Sequence, residues 1–415
     1  MLGAEKILKE ACGDDVEILV YDHDSENSKD LYLEQEFRQM FSKELGTGKA
    51  KWAMWAAKNN LWFLASLLGG KELASGLRDY KTAEMVFTTG GSYLNENYNL
   101  ADRIKQFQAE LYLENPPVFL TQSMGPFRTL ENQKGFKPVF NESPLILLRD
   151  EQSKRYLNGL VEQLQKCFVL ADMSFALAEI PRIEKLLRQP NKPKLEKIAI
   201  SVRDWPYFKK RPYRQGMETY LEAIGALAQK LIRDYEVDIT FISTCQGMPH
   251  FKYNDAKIAK AILDQLPREM KPHVHIEDEF HHPSELMDIL REMDLVVATR
   301  LHMISLSMCV GTPVLPIAYE FKTTEMIRKM GFKELLSNVE NITAGDLIGK
   351  TDLLLSSFEE YRRKMLKATM VQHKSAMQAV PLIRRIYEYG EQTRFNPQIQ
   401  SDVVDNDENA YSAAE

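Results

Sequence analysis

Short apolar runs alternate with longer amphipathic stretches along nearly the whole chain. Stretches such as 217–235 carry apolar residues every three or four positions, from Leu221 to Leu231, which is the spacing of a helix with one buried face. Strands separated by helices are typical of parallel sheets covered by helices. The sequence therefore predicts an α/β fold built from doubly wound, Rossmann-like sheets. The predicted strands lie at 16–21, 85–88, 117–122, 145–148, 167–170, 197–202, 238–243, 273–276, 295–298 and 314–317.

The length of the chain and one linker-like segment predict two domains. A chain of 415 residues is longer than one hydrophobic core usually serves. Residues 188–197 (RQPNKPKLEK) combine two prolines with basic side chains just before a new strand, which is typical of a linker. We therefore expect an N-terminal Rossmann-like domain over 1–187 and a C-terminal Rossmann-like domain with C-terminal helices over 188–395. The acidic segment 396–415 lacks apolar periodicity and is predicted to be disordered.

The beginning of the chain departs from this pattern. Its first predicted element is a helix over 2–11, followed by a strand. A dinucleotide-type domain normally opens with a strand and a tight glycine turn. The N-terminal domain is therefore expected to lack its first strand.

Composition excludes several classes of protein. The formal net charge of -6 argues against a protein that binds nucleic acid through phosphate contacts. No apolar run reaches the roughly 18–20 residues of a membrane-spanning helix, so at most peripheral membrane contact is expected. The four cysteines have neither zinc-ligand spacing nor the pattern of a disulfide framework, so no metal site is expected. Without an apolar signal region, the chain is expected to be cytoplasmic.

The most informative segment for function is 294–320, which reads DLVVATRLHMISLSMCVGTPVLPIAYE. It places Arg300 and His302 between a strand and a helix, where the free N–H groups of the helix favour an anion. A guanidinium group binds phosphate or carboxylate through two hydrogen bonds, and an imidazole can move a proton near neutral pH. The alternative is that Arg300 pairs with a carboxylate of the protein and His302 caps the helix.

A second arginine is predicted at the same edge of the sheet. Arg203 directly follows the strand at 198–202, so it is expected to project near Arg300 and His302. Alone, it could equally be a surface arginine. Two arginines and a histidine that arrive from different strands favour an anion-binding site.

Two turns in the N-terminal half are weaker candidates for substrate binding. Gly90, Gly91 and Ser92 follow a predicted strand, and the glycines would allow close approach of a ligand to the backbone. The next strand ends in a similar turn that contains Gln122, Ser123 and Gly125. The alternative is that both are ordinary tight turns.

Six motifs follow one another along the chain: TTGGSYLNE (88–96), QSMGPF (122–127), LLRDEQS (147–153), ADMSFAL (171–177), ISVR (200–203) and MDLVVATRLHMISLSMCVGTPVLPIAYEFK (293–322). Taken in order, these motifs resemble the polysaccharide pyruvyl transferase family. The resemblance implies two Rossmann-like domains facing a cleft, as in GT-B glycosyltransferases. It also implies transfer of a pyruvyl group from phosphoenolpyruvate to two hydroxyls of a sugar, forming a ketal.

The resemblance also implies roles for individual residues. Arg203 and Arg300 would bind the donor, with Leu301 completing the motif, and His302 and Arg300 would be catalytic. The C-terminal domain would hold the donor and the N-terminal domain the acceptor.

Further substrate-binding positions and partners follow from the same resemblance. Glu320 and Lys322 match the family segment and are expected to contribute to the substrate site. Phosphoenolpyruvate would be the donor substrate, with no separate cofactor and no metal. The acceptor would be a sugar or glycan, either free or lipid-linked.

The sequence is also compatible with two other functions. A GT-B-type glycosyltransferase would use a sugar nucleotide, whose phosphates the same arginines would suit. A non-catalytic member of the family would bind a glycan or a protein partner.

Overall fold

A computed structural model describes residues 1–189, 195–247 and 254–389, so the predicted disordered segment 396–415 lies outside the described residues. The strands are β1 (Leu19–Asp22), β2 (Glu36–Gln39), β3 (Phe87–Thr88), β4 (Gly91–Leu94), β5 (Val118–Met124), β6 (Ile146–Leu148), β7 (Cys167–Val169), β8 (Lys197–Ser201), β9 (Asp238–Phe241), β10 (Val274–Ile276), β11 (Leu295–Ala298), β12 (Val314–Ala318) and β13 (Ser337–Asn338).

Helices separate most of these strands, as the sequence predicts. They are α1 (Leu2–Cys12), α2 (Ser25–Leu31), α3 (Gly48–Lys58), α4 (Trp62–Gly69), α5 (Lys71–Thr82), α6 (Ala101–Tyr112), α7 (Leu130–Glu142), α8 (Glu151–Leu157), α9 (Ile180–Arg188), α10 (Tyr213–Tyr235), α11 (Asp255–Gln265), α12 (Pro283–Arg291), α13 (Leu301–Cys309), α14 (Phe321–Lys329), α15 (Ala344–Ser356), α16 (Phe358–Met377) and α17 (Ala379–Tyr389). The α/β fold class is confirmed.

The chain forms two compact units. Of the described residues, 1–176 and 375–389 make up the first unit, and those between 177 and 374 make up the second. The expected boundary was near residue 188, but α9 belongs to the second unit, where Arg182 donates a hydrogen bond of 2.8 Å to the Val310 carbonyl.

The last helix also differs from the expected division, which placed it with the C-terminal domain. α17 packs on α1 in the first unit, where Ile383 and Ala379 share a buried apolar cluster with Ile7. Arg384 adds a hydrogen bond of 3.3 Å to the Ala11 carbonyl at the end of α1. An apolar helix face predicts that the helix is packed but not which unit covers it.

The second unit contains a six-stranded parallel sheet in the order β10-β9-β8-β11-β12-β13. Counted along this unit, the order is 3-2-1-4-5-6, the Rossmann arrangement, in which the order reverses between the first and fourth strands. These two strands are β8 and β11, which are apolar and almost entirely buried. Ala298 lies opposite Ser201, so both strands end at the same level.

The first unit divides its strands between two parallel sheets. β3, β5, β6 and β7 form one sheet, in which β4 also pairs with β5, whereas β1 and β2 form a separate pair. Residues of both β1 and β3 line a cavity of about 300 Å³, together with residues of α1, α5 and α6. The apolar residues of β1 are consequently only partly buried.

A buried carboxyl group makes the first unit sensitive to pH. Glu110 on α6 is 2% exposed, and one oxygen accepts a hydrogen bond of 3.0 Å from Gln106, while the other has no hydrogen-bond partner among the described residues. Burial raises the pKa of Glu110 from 4.5 to about 8. The folded chain therefore binds a proton more tightly than the unfolded chain does, and this contribution to stability is lost as the pH rises from 4.5 to 8.

We predict that Glu110→Gln stabilises the protein increasingly as the pH rises through this range, because glutamine resembles the protonated side chain. Urea unfolding of the parent and the variant across the range measures the difference. Glu131→Gln, at an exposed position of α7, is the control and should not change the pH dependence. An equal difference at all pH values would contradict the assignment.

Candidate active site

Parallel pairing of β8 and β11 brings two predicted site segments to one edge of the second sheet. Arg203 follows β8 after a single residue, and Arg300 follows β11 after Thr299. Ligands of Rossmann-like sheets bind outside the carboxyl ends of the strands where the strand order reverses. Both guanidinium groups lie near Cys245; burial raises the pKa of this thiol and the two positive charges oppose that effect.

Arg300 forms a buried ion pair within the protein. Its Nε donates to Oδ2 of Asp255 at 2.8 Å, and its Nη2 donates to Oδ1 at 2.7 Å. Asp255 is 1% exposed and accepts a further hydrogen bond of 2.5 Å from Ser243. Burial by itself lowers the pKa of Arg300, but the hydrogen bonds and charge of Asp255 outweigh it and the net pKa is raised. Arg300 is therefore charged and held in place, as in the alternative that the sequence left open.

Arg203 has a different environment. Its guanidinium carbon lies 3.9 Å from the centre of the Tyr319 ring and 5.0 Å from that of Trp205. Its Nε donates to the Asp204 carbonyl at 3.2 Å, and no carboxylate of the described residues forms an ion pair with it. Because aromatic faces attract a cation without neutralising it, Arg203 supplies a net positive charge at this edge.

The first turn of α13 lies directly after Arg300. Leu301 is buried, whereas His302 is exposed. The preceding Thr299 is fully buried and its hydroxyl is 2.7 Å from that of Tyr220 on α10. His302 therefore lies exposed in the first turn of α13, and the buried residues Thr299 and Leu301 anchor this helix start in the core.

The segment after β12 extends the same neighbourhood. Glu320 and Lys322 form an ion pair with 2.8 Å between Oε2 and Nζ. The Lys322 ammonium lies 5.8 Å from the centre of the Tyr319 ring, which also contacts Arg203. Both residues therefore lie close to Tyr319, one of the two aromatic side chains that contact Arg203. Their contact with a substrate stays a prediction.

The first predicted turn of the first unit is supported by Gln122. This side chain is fully buried and donates to the hydroxyl of Tyr93 at 3.0 Å and to the Thr89 carbonyl. A Cβ atom on Gly90 would lie 3.1 Å from the Thr121 hydroxyl, so the backbone approaches closely there. Gly91 and Ser92 are the first two residues of β4, so of the three predicted residues only Gly90 lies between β3 and β4.

The second predicted turn begins later than expected, because Gln122 and Ser123 lie within strand β5 and only Gly125 follows it. These residues are held by contacts within the first unit. Ser123 is 3% exposed and donates a hydrogen bond of 2.6 Å to Asp150, while Arg149 donates to its hydroxyl at 2.8 Å. Gly125 has φ +75°, and a Cβ there would lie 2.9 Å from Tyr156. These contacts give Ser123 and Gly125 a structural role. Binding of a substrate by either predicted turn stays a prediction.

Sequence reasoning missed the residues that set the electrostatics of this edge. Asp255 comes from the start of α11, in a segment with no motif that would distinguish it from a surface acid. Tyr319 lies within the motif at 293–322, and Trp205 lies two residues after the motif ISVR. An aromatic residue close to a motif arginine was the sequence feature that could have indicated these contacts.

The described residues were also searched for groups of metal ligands and for membrane-spanning helices. In the described ranges, no three His, Cys, Asp or Glu side chains cluster in a way that suits a metal ion. None of the helices in those ranges is both long and apolar enough to cross a bilayer.

Comparison with known families identifies the chain's relatives. The family model for "Polysaccharide pyruvyl transferase" matches residues 1–320. The chain belongs to the polysaccharide pyruvyl transferase family. It is therefore a transferase of polysaccharide synthesis, and the resemblance found in its motifs is confirmed.

A curated relative is similar over much of its length. "Amylovoran biosynthesis protein AmsJ" of Erwinia amylovora is 27% identical over 293 residues, which cover 69% of this chain and 69% of that protein.

Solved structures share the fold at low sequence identity. A putative UDP-N-acetylglucosamine 2-epimerase from Listeria monocytogenes has a TM-score of 0.54 at 14% identity, covering 94% of this chain and 95% of the other. Anabaena Alr3699/HepE in complex with UDP has a TM-score of 0.51 at 13% identity, covering 90% of this chain and 99% of the other. The GT-B-like fold of this pyruvyl transferase family member is thereby confirmed.

We predict that Asp255→Asn destabilises this transferase strongly, because it leaves Arg300 charged and unpaired in a buried position. Breaking a buried ion pair by removing one partner loses about 3–5 kcal/mol of the free energy of unfolding. Thermal and urea unfolding measure the loss. The double variant Asp255→Asn with Arg300→Met should recover part of it.

The matched control is Asp234→Asn, which breaks the surface pair of Asp234 with Lys230 and should leave the unfolding midpoint unchanged. An Asp255→Asn protein as stable as the parent would show that the pair does not hold this edge together.

Proposed function

We propose that this protein transfers a pyruvyl group from phosphoenolpyruvate to two hydroxyls of a sugar during exopolysaccharide synthesis. The observation that carries the proposal is the positive charge of Arg203, which no described carboxylate pairs with, at the point where the strand order of the second sheet reverses. Family membership supplies the class of transferred group. The relative from Erwinia amylovora, named for amylovoran biosynthesis, supports an exopolysaccharide as the product.

The donor's chemistry suits this edge of the sheet. Phosphoenolpyruvate carries a phosphate and a carboxylate on one small carbon skeleton, so it needs cationic groups and N–H donors close together. Arg203 offers the unpaired charge, and the start of α13 offers backbone N–H groups. Arg300 is paired with Asp255, so its main proposed role is to hold the start of α13, which carries Leu301 and His302, in place.

The proposed reaction proceeds in two additions. A proton adds to the methylene carbon of phosphoenolpyruvate, and a sugar hydroxyl forms a C–O bond to the central carbon and loses its proton. The bond from that carbon to the phosphate oxygen then breaks, and phosphate leaves with the electron pair. A second hydroxyl adds to the same carbon, loses its proton to the departed phosphate and closes the ketal, so the products are the pyruvylated sugar and inorganic phosphate.

His302 is the proposed proton donor, to the methylene carbon or to the departing phosphate. It is exposed on the first turn of α13, two residues after Arg300, and an imidazole exchanges protons near neutral pH. In this scheme phosphoenolpyruvate is the donor substrate and no separate cofactor takes part.

The assay that tests the function supplies phosphoenolpyruvate and oligosaccharides of bacterial exopolysaccharides. We expect release of inorganic phosphate together with a product that has gained the mass of a pyruvyl ketal. Release of a nucleotide from a sugar nucleotide, without phosphate from phosphoenolpyruvate, would instead indicate glycosyl transfer. Binding of the glycan with neither reaction would indicate a non-catalytic member.

We predict that Arg203→Gln lowers kcat/KM for phosphoenolpyruvate by about 10–100-fold, because hydrogen bonds to a charged group contribute about 1.5–3 kcal/mol. Arg203→Lys should recover only part of the loss, since lysine keeps the charge but not the planar fork. Phosphate release at varied donor concentration gives the constants. Arg233→Gln, at a largely exposed position of α10, is the control, and equal effects of both changes would refute donor binding by Arg203.

We predict that His302→Ala lowers kcat by about 100-fold or more, the effect of losing a well-placed acid, with an unchanged unfolding midpoint. His275→Ala, a substitution of a largely exposed histidine on β10, serves as the control in the same turnover assay. Near-normal turnover of the His302 variant would remove this residue from the mechanism.

A further inference from the structure

The segment 47–71 of the first unit has an unusual composition. It reads TGKAKWAMWAAKNNLWFLASLLGGK and contains four lysines, no acidic residue and three of the chain's four tryptophans. The rest of the chain is acidic enough to give a net charge of -6. The segment folds into α3 and α4, which we call the tryptophan hairpin (Gly48–Gly69).

The tryptophan hairpin buries its alanines, whereas several of its large apolar side chains are exposed. The alanines of its inner face are completely buried; they are Ala50, Ala53, Ala56, Ala57 and Ala65. The outer face presents Trp52 at 64% exposure, Phe63 at 86% and Leu67 at 72%, joined by Trp55 and Leu61. An exposed group of large apolar side chains marks a surface that binds another apolar phase.

Lysines accompany these apolar side chains. Lys49, Lys51 and Lys71 are exposed and form no ion pair with any described residue, whereas Lys58 pairs with Glu114 at 3.1 Å. Three uncompensated positive charges beside tryptophan and phenylalanine complement an anionic, partly apolar surface.

We infer that the tryptophan hairpin docks on the surface of an anionic lipid bilayer. Tryptophan side chains favour the headgroup region, and lysines beside them attract anionic lipids. The helices are too short to span a bilayer, so the hairpin lies in the plane of the interface with its outer face inserted. Pairing of the same face with a second copy would bring lysines against lysines, which disfavours self-association.

The inferred surface has a consequence for the acceptor. If the chain catalyses pyruvyl transfer, docking of the first unit would bring it to acceptors carried on membrane lipids. This consequence rests on the proposed function, whereas lipid binding itself is independent of the reaction.

The experiment is flotation of the full chain with vesicles of phosphatidylcholine alone or mixed with phosphatidylglycerol. We expect binding to the mixed vesicles that weakens as salt is added, together with a blue shift of tryptophan fluorescence. The variant Trp52→Ser with Phe63→Ser and Leu67→Ser should bind at least about tenfold more weakly. Lys49→Glu with Lys51→Glu should lose the preference for phosphatidylglycerol.

The matched control, Leu353→Ser with Val371→Ser, removes exposed apolar side chains of the second unit and should bind like the parent. Unaltered binding by the Trp52, Phe63 and Leu67 variant, or no binding by the parent, would overturn the inference. A dimer that this variant converts to a monomer would assign the face to self-association instead. Phosphate release with a soluble acceptor should be the same in parent and variants, so a failed transferase assay and failed lipid binding are separate results.

Discussion

In the second unit β8 and β11 run side by side in the same direction, and this pairing decides which loops meet. Ala298 lies level with Ser201, so the segments that carry Arg203 and Arg300 leave the sheet at the same height. Apart from Lys197, all residues of the two strands are buried, so a slip of one residue would turn each side chain toward the opposite side of the sheet and disrupt its packing. The core of the sheet therefore fixes the separation of the two arginines before any ligand is present.

The two arginines differ in available charge because their surroundings differ. Arg300 is pinned by two hydrogen bonds to a buried carboxylate, which keeps it charged but compensates that charge. Arg203 lies against two aromatic rings, which hold its orientation and leave its charge to act on other groups. The structure therefore supplies a rigidly placed guanidinium group and an available positive charge from two separate residues.

The sequence predicted the parts of the fold that depend on local pattern. Buried parallel strands are continuous apolar runs, and arginines directly after such runs must lie at the carboxyl edge, so Arg203 and Arg300 could be placed together. Asp255 could not be predicted as the partner of Arg300, since the pairing joins residues 45 positions apart through the tertiary fold. The unit that α17 joins was likewise unpredictable, because its apolar face packs on α1 at the opposite end of the chain.

Because β1 and β2 pair with each other, they can unfold locally while the larger sheet of the first unit stays folded. No strand pairing links these two strands to the larger sheet within the described residues. Tyr21 of β1 instead contacts α5, through a hydrogen bond of 2.5 Å from its hydroxyl to Asp79 and through packing on Tyr80. Segments joined by few shared backbone hydrogen bonds open at lower free energy than the sheet they rest on. Amide protons of β1 and β2 should therefore exchange with solvent before those of β5 and β6, as a small foldon of their own.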